Sequence, residues 1–241
     1  MLKIGHRGAK AYAPENTISS FKKALEFGVD MVEFDIQITK DLHPVVVHDK
    51  SLKRLAKKYL RIRKLNLTEL KKIEIKGKET IPTLGEVLEV IGNKVGMDIE
   101  LKVRGSSQIV IQTLRDYKID FKDVMISSNH AGDIRVAERL EPDITTALIF
   151  RSVNSFSFWF ALDFLAILFL PFTMYYIRWL VYRAGADFLC INHLLLNKRK
   201  VEVFKKKGIK ICAWTVNNRR KIEYLKDLGI DGIITNYPDR L

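Results

Sequence analysis

The chain has 241 residues, 47% of them hydrophobic, and 41 Lys and Arg against 28 Asp and Glu give a formal net charge of +13. That is enough apolar material for a sizeable core in one large or two small domains. The positive balance favours polyanions, namely nucleic acid, anionic lipid headgroups or a phosphorylated substrate, but no nucleic-acid-binding motif accompanies it, which sets nucleic acid aside.

Residues 1–5 are a short apolar run that ends in Gly5-His6-Arg7-Gly8. A strand running into a glycine-bounded loop places His6 and Arg7 at a strand end. Pro14-Glu15-Asn16-Thr17 then opens a helix, with Asn16 or Thr17 as its N-cap. Ile18, Phe21 and Leu25 recur at helical spacing, and Gly28 stops the helix. In residues 32–39, Val32, Phe34, Ile36 and Ile38 alternate with Glu33, Asp35, Gln37 and Thr39. A strand has period two, so the four polar side chains leave one face together. A half-exposed antiparallel strand with a wet face would explain this pattern equally well. The order strand, helix, strand instead implies a parallel βαβ unit.

Residues 40–44 read as a turn, and residues 45–49 as a short strand returning beside 32–39, with His48 at its end. Residues 50–78 are basic and helical in parts, as are residues 198–226, and both read as solvated helix faces. Thr83 and Glu86 form a capping box for a helix over 84–91. In residues 96–102, Met97, Ile99 and Leu101 face one way, and Asp98, Glu100 and Lys102 the other. Further helices are predicted near 107–117, 133–140, 198–207 and 219–228. Strands are predicted at 124–128, 145–150, 187–192, 210–216 and 232–236. Cys190 and Cys212 lie in two of these strands and read as buried free thiols in a reducing interior. No signal peptide precedes Leu2. Leaving out the returning strand, the count is about eight strand–helix pairs, that of a single-domain (β/α)8 TIM barrel; a doubly wound open sheet is the alternative.

Sites of such barrels gather at the C-terminal strand ends. His6 and Arg7 end the first barrel strand, Glu33 and Asp35 the second, Glu100 and Lys102 the third. Ser127 and Ser128 end the fourth, Trp214 the seventh and Asn236 the eighth. Inward charges at one end are costly unless they bind something. Glu33, Asp35 and Glu100 suit one hard divalent cation, Mg2+ or Ca2+. Arg7 and Lys102 suit a phosphate, and His6 and His48 suit acid–base work near neutral pH. Glu15 and Asn16 are each balanced between partners of these groups and ordinary first-turn or cap residues. Asp98 lies deeper and reads as structural. Ser127 and Ser128 read as satisfying backbone groups, and His43, His130 and His193 as turn or surface residues.

With these stretches the chain resembles the glycerophosphodiester phosphodiesterase family. The carriers, in family order, are Gly5-His6-Arg7-Gly8, Pro14-Glu15-Asn16-Thr17, Glu33-Phe34-Asp35, Val47-His48-Asp49, Ile81-Pro82-Thr83-Leu84, Glu100-Leu101-Lys102, Ala213-Trp214-Thr215-Val216-Asn217 and Asp231-Gly232-Ile233-Ile234-Thr235-Asn236-Tyr237-Pro238. The resemblance implies a barrel that hydrolyses a glycerophosphodiester to glycerol 3-phosphate and an alcohol. It puts the catalytic histidines on His6 and His48 and the metal carboxylates on Glu33, Asp35 and Glu100. It puts the phosphate-binding cations on Arg7 and Lys102, and an aromatic substrate wall on Trp214. Asn236 stands where relatives often have Asp, and no chemical role is assigned to it. His6 is taken as the base and His48 as the acid; the nucleophile is water or the neighbouring glycerol hydroxyl.

The run from Phe156 to Tyr182 carries one acidic residue, Asp163, and has the length of a membrane span. It falls between the fifth and sixth barrel strands, so a span would open the barrel, and Pro171 divides it. The expectation is an apolar helical insert over about 152–184, made of two short helices or a helix and a loop at the catalytic end. It would serve as a lid, an oligomer contact or a membrane-docking segment. Tyr175, Tyr176, Trp179 and Tyr182 with Arg178 and Arg183 would form its interfacial rim. This adds lysophospholipase D-type cleavage of lysophospholipids as a second reading. A cytoplasmic location follows, with optional peripheral contact at the inner face of the membrane. A non-catalytic lipid- or phosphate-binding scaffold would lack at least one of His6, His48, Glu33, Asp35 and Glu100, and all five are present.

Overall fold

The structure, a computed structural model, describes residues 1–150 and 170–241. It opens with strand β1 (Leu2–His6), helix α1 (Ile18–Glu26) and strand β2 (Met31–Ile38). Thr17 is the N-cap of α1, accepting from the Ser20 amide, which leaves the Asn16 side chain available elsewhere. After β2 the chain turns back as β3 (Pro44–Val46), makes the short helices α2 (Lys53–Ala56) and α3 (Leu67–Leu70), and enters α4 (Leu84–Ile91). Thr83 and Glu86 cap α4 reciprocally, as the spacing predicts.

The alternation then becomes regular. Strand β4 (Gly96–Leu101) precedes α5 (Ser107–Asp116), β5 (Val124–Ser128) precedes α6 (Ala131–Leu140), and β6 (Thr145–Phe150) follows. Beyond residue 169 come α7 (Leu170–Ala184), β7 (Phe188–Asn192), α8 (Lys198–Lys205), β8 (Lys210–Trp214), α9 (Arg219–Asp227) and β9 (Gly232–Thr235). Eight strands run parallel in the order β1, β2, β4, β5, β6, β7, β8, β9, and the β1–β9 pairing closes the cylinder. This is a (β/α)8 TIM barrel.

Closure decides which face of β2 is wet. All eight of its residues are buried, which removes the half-exposed reading. Val32, Phe34, Ile36 and Ile38 pack under the helices with Phe21, Leu84, Leu88 and Leu101. The alternate set, Met31, Glu33, Asp35 and Gln37, points into the barrel. There Met31 joins Ile4, Met125, Phe188, Cys190, Cys212 and Ile234 in the lower plug. Both cysteines are free and buried.

The register also places β3. Ile36 pairs with Leu101 of β4 on one edge and with Val46 of β3 on the other. β1 occupies that second edge lower down, against residues 31–33. So β3 sits above the end of β1 and carries His48 to the sector where His6 emerges. The excursion over 47–81 covers a small separate core of Val45, Val47, Leu52, Leu55, Ile62, Leu70 and Ile81.

One expectation about the apolar run changes. Residues 151–169, with just over half of the predicted insert, lie outside the described residues. The remainder is one helix, α7, with Pro171 as its second residue, a first-turn position that proline favours. Tyr175, Tyr176, Trp179 and Tyr182 lie on this helix, and Ile177, Val181 and Ala184 pack it onto the barrel core. The chain passes from Ala184 directly to the start of β7, so the far end of α7 is at the N-terminal end of the strands. The aromatic rim therefore belongs to a barrel helix on the flank and not to a projection over the catalytic end.

Candidate active site

The first loop is built around a strained turn. Arg7 and Asn16 both adopt left-handed backbone, with φ of 52° and 58°. Asn tolerates this region and Arg does so at a cost. The turn is held because the Arg7 carbonyl accepts from Ser20 Oγ at 2.9 Å and from the Asn16 amide at 3.1 Å. Gly8 follows at φ +83°, where a Cβ would lie 2.4 Å from Ser20 Oγ.

Three carboxylates meet at the mouth. Glu33 and Asp35 from β2 and Glu100 from β4 each offer an oxygen, all within 4.8 Å of one another. Asp35 is fully buried and Glu33 nearly so. Lys102 Nζ lies 2.8 Å from Asp35 Oδ1 and also bonds Glu100 Oε1. Arg7 donates its backbone N–H to Glu33 Oε2 at 2.8 Å, and its Nε lies 3.1 Å from Asp35 Oδ2. Asn16 Nδ2 donates to the same Asp35 oxygen at 2.8 Å.

The charges are unevenly satisfied. Against the cost of burial, Lys102 and Arg7 hold the Asp35 carboxyl well below the usual range. Glu33 goes the other way: burial and then Asp35 push its pKa well above the ordinary value. Two β4 carboxylates beside it, Asp98 and Glu100, add to that. Carboxylates gathered this closely repel one another, and a shared cation would offset that repulsion. Hard oxygen donors from adjacent strands suit Mg2+ or Ca2+, and the residues fit such an ion.

The two histidines sit in different environments. His6 Nδ1 faces Asn236 Oδ1 at 2.5 Å. An amide oxygen only accepts, so Nδ1 carries the proton and Nε2 presents its lone pair. Nε2 lies 3.9 Å from Glu33 Oε2. Burial, then the Arg7 cation, lowers the imidazolium pKa to about 3. His48 Nδ1 meets the Asp49 carboxylate at 2.7 Å, and Gln37 Nε2 donates to the His48 carbonyl at 3.1 Å. Burial also lowers the His48 pKa, while Asp35 and Asp49 oppose the shift.

Glu15 is more than a first-turn acid. Its carboxylate takes Arg7 Nη1 at 2.7 Å, Lys10 Nζ at 3.0 Å and Arg54 Nη2 at 2.6 Å. Against burial, these cations hold its pKa well below the usual range. Trp214 ends β8, beside Asn192, with its indole Nε1 buried and without a partner. Asp98, deeper in the barrel, is raised to about 7 by burial, and Ser127 Oγ donates to it at 2.6 Å. Ser127 therefore serves a side chain; Ser128 does accept from a backbone amide, that of His130.

The structure thus gathers Arg7, Glu15, Asn16, Glu33, Asp35, Glu100 and Lys102 into one bonded network, with His6 against Glu33. Sequence reasoning missed Asn236, Asp49 and Arg54. Asp49 was signalled by its place beside His48. Arg54 was hidden in a basic stretch, and the contact of Asn236 with His6 spans nearly the whole chain.

Comparison with known proteins agrees over the same length. The model described as the glycerophosphoryl diester phosphodiesterase family matches residues 6–240. A glycerophosphodiester phosphodiesterase of Caldanaerobacter subterraneus subsp. tengcongensis is 32% identical over 253 residues, covering 100% of this chain and 96% of that protein. A human lysophospholipase D is 26% identical, covering 99% and 84%. Among solved structures, an Oleispira antarctica phosphodiesterase in complex with the product sn-glycerol-3-phosphate superposes with a TM-score of 0.81 at 27% identity, covering 98% of this chain and 93% of that one.

Proposed function

The chain belongs to the glycerophosphoryl diester phosphodiesterase family, and from that premise we propose that it hydrolyses glycerophosphodiesters to glycerol 3-phosphate and an alcohol, with a divalent cation and a His6/His48 acid–base pair. The observation that carries the reading is the meeting of Glu33, Asp35 and Glu100 with Arg7 and Lys102 interleaved among them.

The geometry supports a role for each residue. A phosphodiester is anionic and repels nucleophiles. Glu33, Asp35 and Glu100 would hold the cation, Mg2+ or Ca2+, which would supply charge to polarise a phosphoryl oxygen. Arg7 and Lys102 face the other non-bridging oxygen and stabilise the charge that develops on it. Arg7 is aimed by Glu15 and Asp35; Asn16 holds Asp35. His6 takes the proton of the attacking hydroxyl at its Nε2 lone pair; that hydroxyl belongs to water, or to the adjacent glycerol carbon, in which case water then opens the resulting cyclic phosphate to glycerol 3-phosphate. His48, backed by Asp49, gives a proton to the leaving alkoxide. Trp214 walls the glycerol or alcohol moiety and offers its free N–H. Residues 1–241 act as one catalytic domain.

The test is glycerol 3-phosphate release from several diesters, with and without EDTA. No product from any diester refutes the reading, and product unaffected by EDTA removes the metal.

A lysophospholipase D activity is the second reading. It is favoured by the lysophospholipase D relatives and by the apolar composition of the sequence after β6. Peripheral contact with an anionic membrane fits α7, where Tyr175, Tyr176 and Tyr182 are exposed and Arg183 stacks on Trp179 at 4.9 Å. Beside it, Arg178, Lys207 and Lys210 line a groove of about 650 Å³. Among the described residues, no helix is long and apolar enough to cross a membrane. The proposed location is the cytoplasm, consistent with two free thiols. Flotation with anionic and neutral vesicles decides the contact: binding to neither removes it. Assay of a lysolipid against glycerophosphocholine decides the substrate.

A further inference from the structure

The exposed basic stretch after β3 holds one side chain with an unusual set of partners. Arg54 Nε donates to Asp49 Oδ2 at 2.6 Å. Its Nη1 and Nη2 donate to the two oxygens of Glu15 at 3.0 and 2.6 Å. The other oxygen of Asp49 meets His48 Nδ1, and the Glu15 oxygen that takes Arg54 Nη2 also takes Arg7 Nη1. One guanidinium therefore joins the carboxylate behind a histidine to the carboxylate behind the phosphate-facing arginine.

Its base is fixed. Arg54 lies on α2, which is a single turn, and the flanking Leu52 and Leu55 are buried in the small core under the 47–81 excursion. The Leu52 amide bonds the Leu60 carbonyl and the Ile62 amide bonds that of Lys50, which ties the loop across its neck. Lys57 ends the turn in left-handed backbone at φ 55°.

We propose that Arg54 is a positioning residue that sets the orientation of His48 through Asp49 and of Arg7 through Glu15. The proposal rests on the hydrolytic reading above. The side chain of Arg54 is 44% exposed, and an isolated ion pair at that exposure would matter little. Arg54 differs because it serves two carboxylates in a fixed fork, and each of these is already bonded to a group that faces the mouth. The arms are unequal. Glu15 keeps Lys10 if Arg54 is lost, whereas among the described residues Arg54 is the one lysine or arginine paired with Asp49. Loss of Arg54 therefore falls mainly on His48, hence on proton delivery, and less on substrate binding. A lysine at 54 places one point charge and reaches one carboxylate at a time.

The experiment compares wild type, Arg54→Ala, Arg54→Lys, Asp49→Asn and the Arg54→Ala/Asp49→Asn double variant. Steady-state kinetics use a glycerophosphodiester with saturating divalent cation, and circular dichroism checks the fold. For Arg54→Ala the expected result is kcat lower by about 10- to 100-fold, with KM changed by less than about threefold. Arg54→Lys should recover part of the loss, and free guanidinium should partly restore Arg54→Ala. The double variant should be no slower than Asp49→Asn alone, because both changes remove the same support. Long-range 1H–15N spectra of the histidines give a readout that needs no turnover: the neutral His48 ring keeps its proton on Nδ1 against Asp49 in wild type, which leaves Nε2 to take up the proton it delivers, and becomes a tautomer mixture in Arg54→Ala. Kinetics of Arg54→Ala within about twofold of wild type, an additive double variant, or unchanged His48 signals each overturn the proposal. A wild type that releases no glycerol 3-phosphate sinks the hydrolytic reading instead, and the spectra still decide the placement of His48.

Discussion

Replacing Asn236 by Asp changes one atom type beside His6 and tests both its tautomer and its role. The carboxylate can still accept from Nδ1, so the ring keeps its orientation. What changes is charge. Opposite unit charges about 4 Å apart at an effective dielectric near 20 attract by about 4 kcal/mol, or about 3 pKa units. Asn236 is half-buried, so solvent trims this to roughly 2–3 units. The His6 pKa then moves from about 3 to about 5–6. The sign is clear: the base works only when neutral, so raising its pKa removes activity at acid pH. In the cation-loaded enzyme, kcat/KM of the variant should fall about 2- to 10-fold between pH 7.5 and pH 5 relative to wild type. Near pH 8 the two should agree closely. A bound cation disfavours the imidazolium in both proteins and moves both profiles towards lower pH, so the variant's profile stays displaced to the alkaline side of wild type. A pH–rate profile from 4.5 to 8.5 is the assay. Superimposable profiles would refute the idea that Asn236 governs the proton on His6, or that His6 is the base.

Glu33→Gln should abolish cation-dependent turnover while raising the melting temperature of the cation-free protein, since the native Glu33 carboxyl resists ionisation; calorimetry with EDTA checks the second half. Asp98 ionises near 7 in the fold against a reference of 3.8. The folded state therefore holds the extra proton between those values, and its stability falls as pH rises through 7. Asp98→Asn should stabilise the cation-free protein by on the order of 4 kcal/mol at pH 8 and by almost nothing at pH 4, measured by urea unfolding at both pH values. Gly8→Ala meets Ser20 and a positive φ together, so it should cost more than about 2 kcal/mol and lower turnover by shifting Arg7. Melting temperature and kcat unchanged from wild type would contradict it.

Much of this protein is written locally. Period-two alternation in 31–38 and 96–101, helical spacing in 18–26 and the Thr83/Glu86 cap are set by neighbours a few residues apart. They gave the strand–helix count, and with it the barrel and the mouth where sites gather. The acidic residues of alternate strand positions were legible for the same reason, since side chains two apart share a face whatever the strand packs against.

Which face is inside was not legible from the alternation of β2 alone; it came from the strand–helix count. A parallel strand covered by helices and an antiparallel strand with a wet face have the same alternation, and only the closure of β1 on β9 buries both sides of β2. The partners of the candidate site groups were not legible either. His6 and Asn236 are 230 residues apart and meet only because the first and last strands are adjacent. Arg54 and Glu15 are 39 apart, and their bond depends on β3 lying above the end of β1. Alternation and capping are short-range properties of the backbone, whereas the protonation state of an imidazole or the aim of a guanidinium depends on charges delivered by distant chain. The sequence determined which groups reach the mouth; the closed barrel decided which of them touch.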